Sequence, residues 1–396
     1  MLPLHMNGLK LFPSTSLFHC SNQRKMVLIQ LNGGNDGLNT VIPVSQYDRL
    51  YRARSTIMVP ESKLIALEQD ISLHPALVGL KNLYNDGMLG VALAVGYPLP
   101  NRSHFRSMDV MTSGSPSDKI WQTGWLGRNL DWQEYPELKH PYAITMGYAV
   151  SNTCQGEVSN FSTSLVDPWS LNQLPEALAK SKEHYERHQE EVEYILNTIR
   201  QTRNFGQTIH KAASLGKNST EYPDSDLGQQ LKTIAQLISG GLETQVYIAN
   251  LSGFDTHAEQ VMSGSDGKQG KHPELLNDLG RSIQSFMMDL KRQGLDQDVF
   301  GLTYSEFGRQ IRANESGGTD HGDASALFYF GGAVHATVIG SHPAIDQVVP
   351  DQAGLPMAID IRNIYQTILE QWFQSKQIQD SFPGTGFNNL EIFRSN

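Results

Sequence analysis

Apolar residues fall into short runs separated by stretches with helical spacing. Met26 to Leu31 (MVLIQL) reads as a strand buried on both faces, and it breaks off into Asn32-Gly33-Gly34-Asn35-Asp36-Gly37, a turn-forming loop. His74 to Tyr84 spaces its apolar residues as a helix does, and Gly90 to Tyr97 (GVALAVGY) is a second buried strand, stopped by Pro98 and Pro100. The stretch from Asn101 opens a helix with Ser103 near its N-cap. From Pro116 to Thr220 the pattern is irregular, with Trp, Pro and polar clusters and then a charged helical run from Glu183 to Arg203, and it reads as an inserted cap or lid. Regular alternation returns with a helix from Asp226 to Ile238, a strand from Gln245 to Leu251, a helix from Pro273 to Lys291 and a strand from Val299 to Tyr304. Strands from Ala326 to Phe330 and from Ala336 to Ile339 follow, and a helix from Ile361 to Phe373 closes the pattern. Such alternation predicts an α/β fold with a mostly parallel sheet, whose ligands gather beyond the carboxyl ends of its strands. The expected organisation is a segment over residues 1–25 and a single domain over 26–396, with about 116–220 as the cap.

Composition narrows the function classes. Of 396 residues, 39% are hydrophobic and 18% charged, with 35 glycines, which describes a loop-rich globular protein and excludes disorder and coiled coil. Lys and Arg number 31 against 41 Asp and Glu, a formal charge of −10, which argues against a general binder of nucleic acid or anionic membrane. An anionic substrate therefore needs a locally positive site, such as a metal ion. Cys20 and Cys154 are too few for a disulfide scaffold or a thiolate zinc site; one bridge and two unrelated thiols both remain open. No run reaches the roughly 20 apolar residues of a membrane helix. Arg24 and Lys25 follow the early apolar patches rather than preceding them, so the first 25 residues are expected to hold no complete export signal.

The strand ends carry the candidate chemistry. Asp36 follows the first strand, Ser103 the second, Asp255 and His257 a third, Glu306 a fourth, and Asp320 and His321 stand one loop later. Carboxylates, imidazoles and one hydroxyl are the groups a metal-assisted hydrolase requires: oxygen and nitrogen ligands with a nucleophile beside them. In Gly253-Phe254-Asp255-Thr256-His257 both side chains leave one face of an extended segment and can grip one cation; equally, Asp255 can cap a turn and His257 bond a carbonyl. Glycines on both sides of Thr319-Asp320-His321 let Asp320 and His321 converge on one point, or form a hydrogen-bonded turn. Glu306 leaves an apolar strand and must be metal-bound or paired, with Arg309 as the ordinary salt-bridge partner. Asp36 also suits an Asx turn, Ser103 a helix cap, and His104 a packed or supporting role. The chain has no GxSxG elbow, HExxH helix, CxPxR segment or phosphate-loop lysine, so a hydrolase would use Ser103 or a metal-bound water.

The segments LIQLNGGNDGLNTVIP, LHPAL, VGYPLPNRSHFRSMDVM, GWLGR, YPDSDLGQQLKTIAQLISGGLET, GFDTHAEQ, YSEFGRQIRANESGGTDHG and IDIRNIYQTILEQW occur in order from Met26 to about Phe373. Together they resemble the DUF1501 family, placed in the alkaline phosphatase and sulfatase superfamily. The resemblance implies an alkaline-phosphatase-like three-layer sandwich with metal ions at the strand ends. It implies Asp36 as the first-strand metal aspartate, Ser103 as the nucleophile, Asp255 with His257 at one metal site and Asp320 with His321 at the other. Apart from the resemblance, Arg102 and Arg106 are candidates to orient the transferred group, and His104 beside Ser103 is a further catalytic candidate. The implied cofactor is a divalent metal, zinc first, with Mg, Mn or Ca as alternatives. The superfamily pair is more often Asp-x-x-x-His, and His335 and His342 are poor counterparts of its late metal histidine, which leaves a one-metal or an inactive site open. Family members resemble exported proteins, commonly with a twin-arginine signal before the first strand, so a periplasmic or extracellular mature form is expected. The leading expectation is a metal-dependent hydrolase of an anionic ester, small-molecule or glycan, phosphate before sulfate. The alternative is a catalytically inactive exported binding protein on the same scaffold.

Overall fold

Strand β1 (Lys25–Asn32) divides the apolar residues between two layers. Val27, Ile29 and Leu31 project into one apolar cluster and Met26 and Leu28 into another, as a period of two requires of a strand covered on both sides. The computed structural model describes residues 24–131, 139–157, 159–169, 204–376, 378–383 and 386–394. Against the first face pack the helices Val78–Asn85, 204–215, Asp226–Ser239 and Lys271–Arg292. Against the second pack His104–Ser113, Trp125–Asp131 and Ile361–Thr367, the last continued by the wide turns of Ile368–Trp372. The result is the expected three-layer α/β sandwich. The helix Lys271–Arg292 shows how a face is held: Leu276, Leu279, Ile283, Phe286 and Leu290 recur at three- and four-residue intervals and are fully buried, each stabilising by about 1.5–3 kcal/mol.

In chain order the further strands are β2 (Val41–Pro43), β3 (Ile65–Glu68), β4 (Ile71–Leu73), β5 (Leu89–Gly96), β6 (Ala143–Met146) and β7 (Ser162–Leu165). Then come β8 (Val246–Ser252), β9 (Val299–Tyr304), β10 (Ser325–Gly331), β11 (Val338–Ile339) and β12 (Ile359–Asp360). Strands β2, β4 and β3 form a small antiparallel sheet. The central sheet runs β11-β5-β10-β9-β1-β8-β6-β7, with β12 also on β5. Its pairs are parallel except those of β10, which runs against both β5 and β9. This reversal places the start of β10 at the edge where β1, β5, β8 and β9 end, and so delivers the preceding loop, with Asp320 and His321, to that same edge.

One expectation changes here. β6 and β7 fall inside 116–220 yet form one side of the central sheet, so that part of the segment is built into the core layer rather than laid over it. The charged run from Glu183 to Arg203, the start of the chain and Cys20 lie outside the described residues. Cys154 is a buried free thiol whose pKa burial pushes up to about 12. Among the described residues no helix is long and apolar enough to cross a membrane.

His74 and His272 are fully buried, and burial lowers their pKa values to about 4 and about 3. Both therefore stay neutral in the folded chain at pH values where the unfolded chain binds protons. Stability is expected to hold from pH 8 to 7 and to fall below about pH 6.5, by about 1.4 kcal/mol per pH unit for each histidine, until the folded values are reached. Urea unfolding in the presence of a chelator measures this, and a profile flat down to pH 4.5 would contradict it.

Candidate metal centre

Five loops meet at the carboxyl edge because glycines let their backbones touch. At Gly33 (φ +119°) a Cβ would stand 2.2 Å from the backbone nitrogen of Asp255, so only glycine allows the loop after β1 to lie on the loop after β8. At Gly322 a Cβ would stand 2.2 Å from the backbone of Arg309, where residues 308–310 pair with 320–322. The buried guanidinium of Arg309 ties these loops. Its Nε donates to Gly34 O (2.8 Å), its Nη1 to Thr319 O (2.8 Å), and its Nη2 to Gly33 O, to Phe254 O (2.9 Å) and to Asp255 Oδ1 (2.7 Å). Its charged partner is thus Asp255 and not the Glu306 expected from their spacing.

Three imidazoles surround that same Asp255 oxygen. The Nε2 atoms of His257, His321 and His104 lie 3.1, 3.2 and 3.5 Å from Asp255 Oδ1. Each ring is oriented from behind: His104 Nδ1 by Glu306 Oε1 (2.8 Å), His257 Nδ1 by Asp320 Oδ1 (2.7 Å), and His321 Nδ1 by the carbonyl of Arg102 (2.8 Å). Carbonyl and carboxylate oxygens accept, so each Nδ1 carries a proton and each ring turns its Nε2 inward. The Nε2 atoms of His257 and His321 are only 2.8 Å apart. A proton or a metal ion between them would satisfy both nitrogens. Burial lowers the pKa of His321. Burial alone would raise Asp255, but the hydrogen bond and charge of Arg309, aided by His321 and His257, bring its carboxyl below the usual value, so it stays anionic. Phe307 backs the histidines, its ring centroid 4.9 Å from that of His104 and 4.7 Å from that of His321.

The donor set fits a divalent ion. A tetrahedral ion with bonds of about 2.0–2.1 Å places neighbouring donor atoms about 3.3 Å apart, which is the spacing seen around Asp255 Oδ1. His104, Asp255 and His321 offer ligand atoms all within 4.8 Å of one another. Imidazole nitrogens with one carboxylate suit zinc and other first-row ions better than calcium or magnesium. With side-chain exposures of 45% for His257 and 49% for Asp255, the centre opens to solvent.

The remaining predicted residues take other places. Glu306 and Asp320 orient histidines rather than facing the centre, Glu306 also accepting from the Gly33 backbone (2.8 Å) and Asp320 from Asn314 (3.1 Å). Asp36 lies apart, fully buried, with Arg54 Nη1 donating to both its oxygens at 2.9 Å and Gln260 to one at 2.6 Å. These bonds tie the carboxylate to Arg54 and Gln260 rather than to the histidines, and although burial alone would raise its pKa, the Arg54 charge keeps it low. Arg102 grips Asp323 through two bonds of 2.9 Å, and Arg106 Nη2 donates to the carbonyls of Pro116, Ser117 and Lys119, so both are bonded to structural partners. Ser103 is the N-cap of His104–Ser113, yet its exposed side chain makes no capping bond. His104, read from sequence as a packed or supporting residue, joins the centre. Its place in the first turn of a helix following a buried strand was the available signal.

The family model described as "Protein of unknown function (DUF1501)" matches residues 23–377. The chain belongs to the DUF1501 family. No curated protein matches it significantly. Solved structures with a similar fold include Ps i-CgsB in complex with k-i-k-neocarrahexaose, at 9% identity and a TM-score of 0.40 over 93% of this chain and 76% of that one. The lipoteichoic acid synthase LtaP from Listeria monocytogenes is similar at 10% and 0.36 over 84% and 71%. The putative sulfatase yidJ from Bacteroides fragilis is similar at 10% and 0.38 over 94% and 77%. These likenesses are distant.

The geometry separates ligands from supports. Asp255→Ala or His321→Ala is expected to abolish zinc binding, whereas Glu306→Gln and Asp320→Asn weaken it about 10- to 100-fold. Asp36→Asn is expected to leave zinc affinity unchanged while costing about 3–5 kcal/mol of stability, because it strands the buried Arg54 charge. Calorimetric zinc titration beside urea unfolding checks both, and loss of zinc binding in Asp36→Asn would restore Asp36 as a ligand.

Proposed function

We propose that this chain is a metal-dependent hydrolase of an anionic ester, phosphate before sulfate, with Ser103 as the nucleophile. The observation that carries the reading is the convergence of three imidazole Nε2 atoms on Asp255 Oδ1 beside a helix whose opening serine leaves its hydroxyl uncommitted. His104, His257, His321 and Asp255 would hold the ion, which supplies positive charge to the oxygens of the transferred group and lowers the pKa of a neighbouring hydroxyl. Glu306, Asp320 and the Arg102 carbonyl keep the rings in the tautomer that can ligate. The first backbone N–H groups of His104–Ser113 add donors for an anion at the helix start. Ser103 Oγ attacks phosphorus, its proton passes to solvent at the open face, the P–O bond to the ester oxygen breaks as that oxygen takes a proton from solvent and leaves as the alcohol, and water then releases the phosphoryl group and restores the serine hydroxyl. A serine at this place, in a chain without CxPxR, supports phosphate over sulfate. The resemblance to exported relatives supports a site of action outside the cytoplasm.

The commitment of both Arg102 and Arg106 to structural partners favours a second reading, an exported binding protein that holds the ion without chemistry. One assay decides. Ser103→Ala is expected to lower aryl phosphate turnover by about 10³-fold or more while keeping the ion. It should change stability by under about 0.5 kcal/mol, since no cap bond is lost. A variant as active as the parent would remove Ser103 from the mechanism, and a zinc-loaded parent without turnover on aryl phosphate or aryl sulfate would favour the binding protein.

A further inference from the structure

A cleft of about 790 Å³ opens between the helix His104–Ser113 and the carboxyl ends of β1, β6 and β8. Two elements that line it also carry residues of the metal centre. His104, Met108 and Thr112 recur at every fourth position on one face of the helix, and the last two line the cleft. Ser252, on the opposite wall, precedes Asp255 by three residues, a reach of at most about 11 Å.

The lining has a definite chemistry. It presents the amides of Gln30, Asn152, Gln230 and Asn250 and the carboxylates of Asp226 and Asp278, and it contains no lysine or arginine among the described residues. The amides are held in place: Asn250 N donates to Gln230 Oε1 (2.8 Å), Gln230 Nε2 to Asn250 O (2.9 Å), and Tyr304 OH to Gln30 Oε1 (2.9 Å). Tyr148 stands on the wall and is 91% exposed. Asn152 and Thr112 are shared with a second depression of about 440 Å³ that carries Trp121, Asp109 and Glu157. The Asn152 amide and the carboxylates of Asp226 and Asp278 offer donors and acceptors to adjacent hydroxyls, and the exposed Tyr148 ring suits the C–H face of a sugar. The carboxylates, without a cation near them, repel further anionic groups and attract an amine. Two joined depressions give room for more than one ring.

We propose that this cleft binds the sugar portion of the substrate, an uncharged or amino-bearing oligosaccharide whose anionic ester reaches the metal centre. The inference rests on the hydrolase reading for its substrate role. A polysulfated or polyphosphorylated chain is excluded from the cleft by Asp226 and Asp278.

Saturation-transfer NMR and calorimetry on the zinc-loaded protein test this with a cello-oligosaccharide, a chitosan oligosaccharide, a heparin oligosaccharide and a lysine-rich peptide. Expected are binding of the first two and not of heparin, and a Kd at least tenfold weaker in Tyr148→Ala and Asn152→Ala. Aryl phosphate turnover and melting temperature should be unchanged in these variants, and Asp226→Asn should weaken only the chitosan oligosaccharide. Failure of both neutral and amino-bearing chains to bind, tighter binding of heparin or the peptide, or affinities unaltered by the variants would overturn the assignment. Aryl phosphate turnover without oligosaccharide binding sinks the cleft assignment alone. Oligosaccharide binding without turnover of any aryl ester sinks the hydrolase reading and leaves a saccharide cleft.

Discussion

Three imidazole Nε2 atoms converge on one carboxylate oxygen, two of them 2.8 Å apart. Asp255 shares that oxygen with the Arg309 guanidinium as well. A metal ion at the centre would give each Nε2 lone pair a positive charge to face. The surrounding design serves that end. Outer acceptors fix each ring from behind, Arg309 ties the loops that carry the rings, and glycines at 33 and 322 let those loops lie against one another. The centre depends on the sheet as well, since only an antiparallel β10 brings His321 to the edge where β1, β8 and β9 end.

Much of the scaffold was legible in the sequence. The runs around Met26, Gly90 and Val299 became central strands, because an apolar run bounded by turn residues has few other fates in a chain of this class. Ser103 fell at its expected helix start. β6 and β7 were missed: each has only four residues, and Ala143–Met146 and Ser162–Leu165 lie among loops whose irregular pattern suggested a cap.

Within the site, the loops that the sequence singled out meet at the sheet edge, and the structure gives several of their side chains partners that spacing alone does not reveal. Spacing states that Glu306 and Asp320 reach the strand edge, but not whether a carboxylate faces an ion or the histidine that binds it; that depends on which neighbour the backbone presents. Arg309 was visible three residues from Glu306, yet its partner Asp255 stands 54 residues away in the chain and meets it only after the sheet assembles. The same holds for Arg102 with Asp323 and Arg54 with Asp36. His104 was undervalued because a lone histidine on a helix is commonly packed, and only the tertiary arrangement brings Glu306 behind it and Asp255 in front.

The central claim is that His104, His257, His321 and Asp255 hold one divalent ion. X-ray absorption at the zinc edge of the metal-loaded protein tests it most directly. The account predicts a stoichiometric ion with three imidazole nitrogens at about 2.0–2.1 Å and a carboxylate oxygen at similar range, and an imidazole scattering signature that diminishes when His104 is changed to Ala. A protein that takes up no stoichiometric zinc, or a bound ion whose shell is built of oxygen alone, would contradict it.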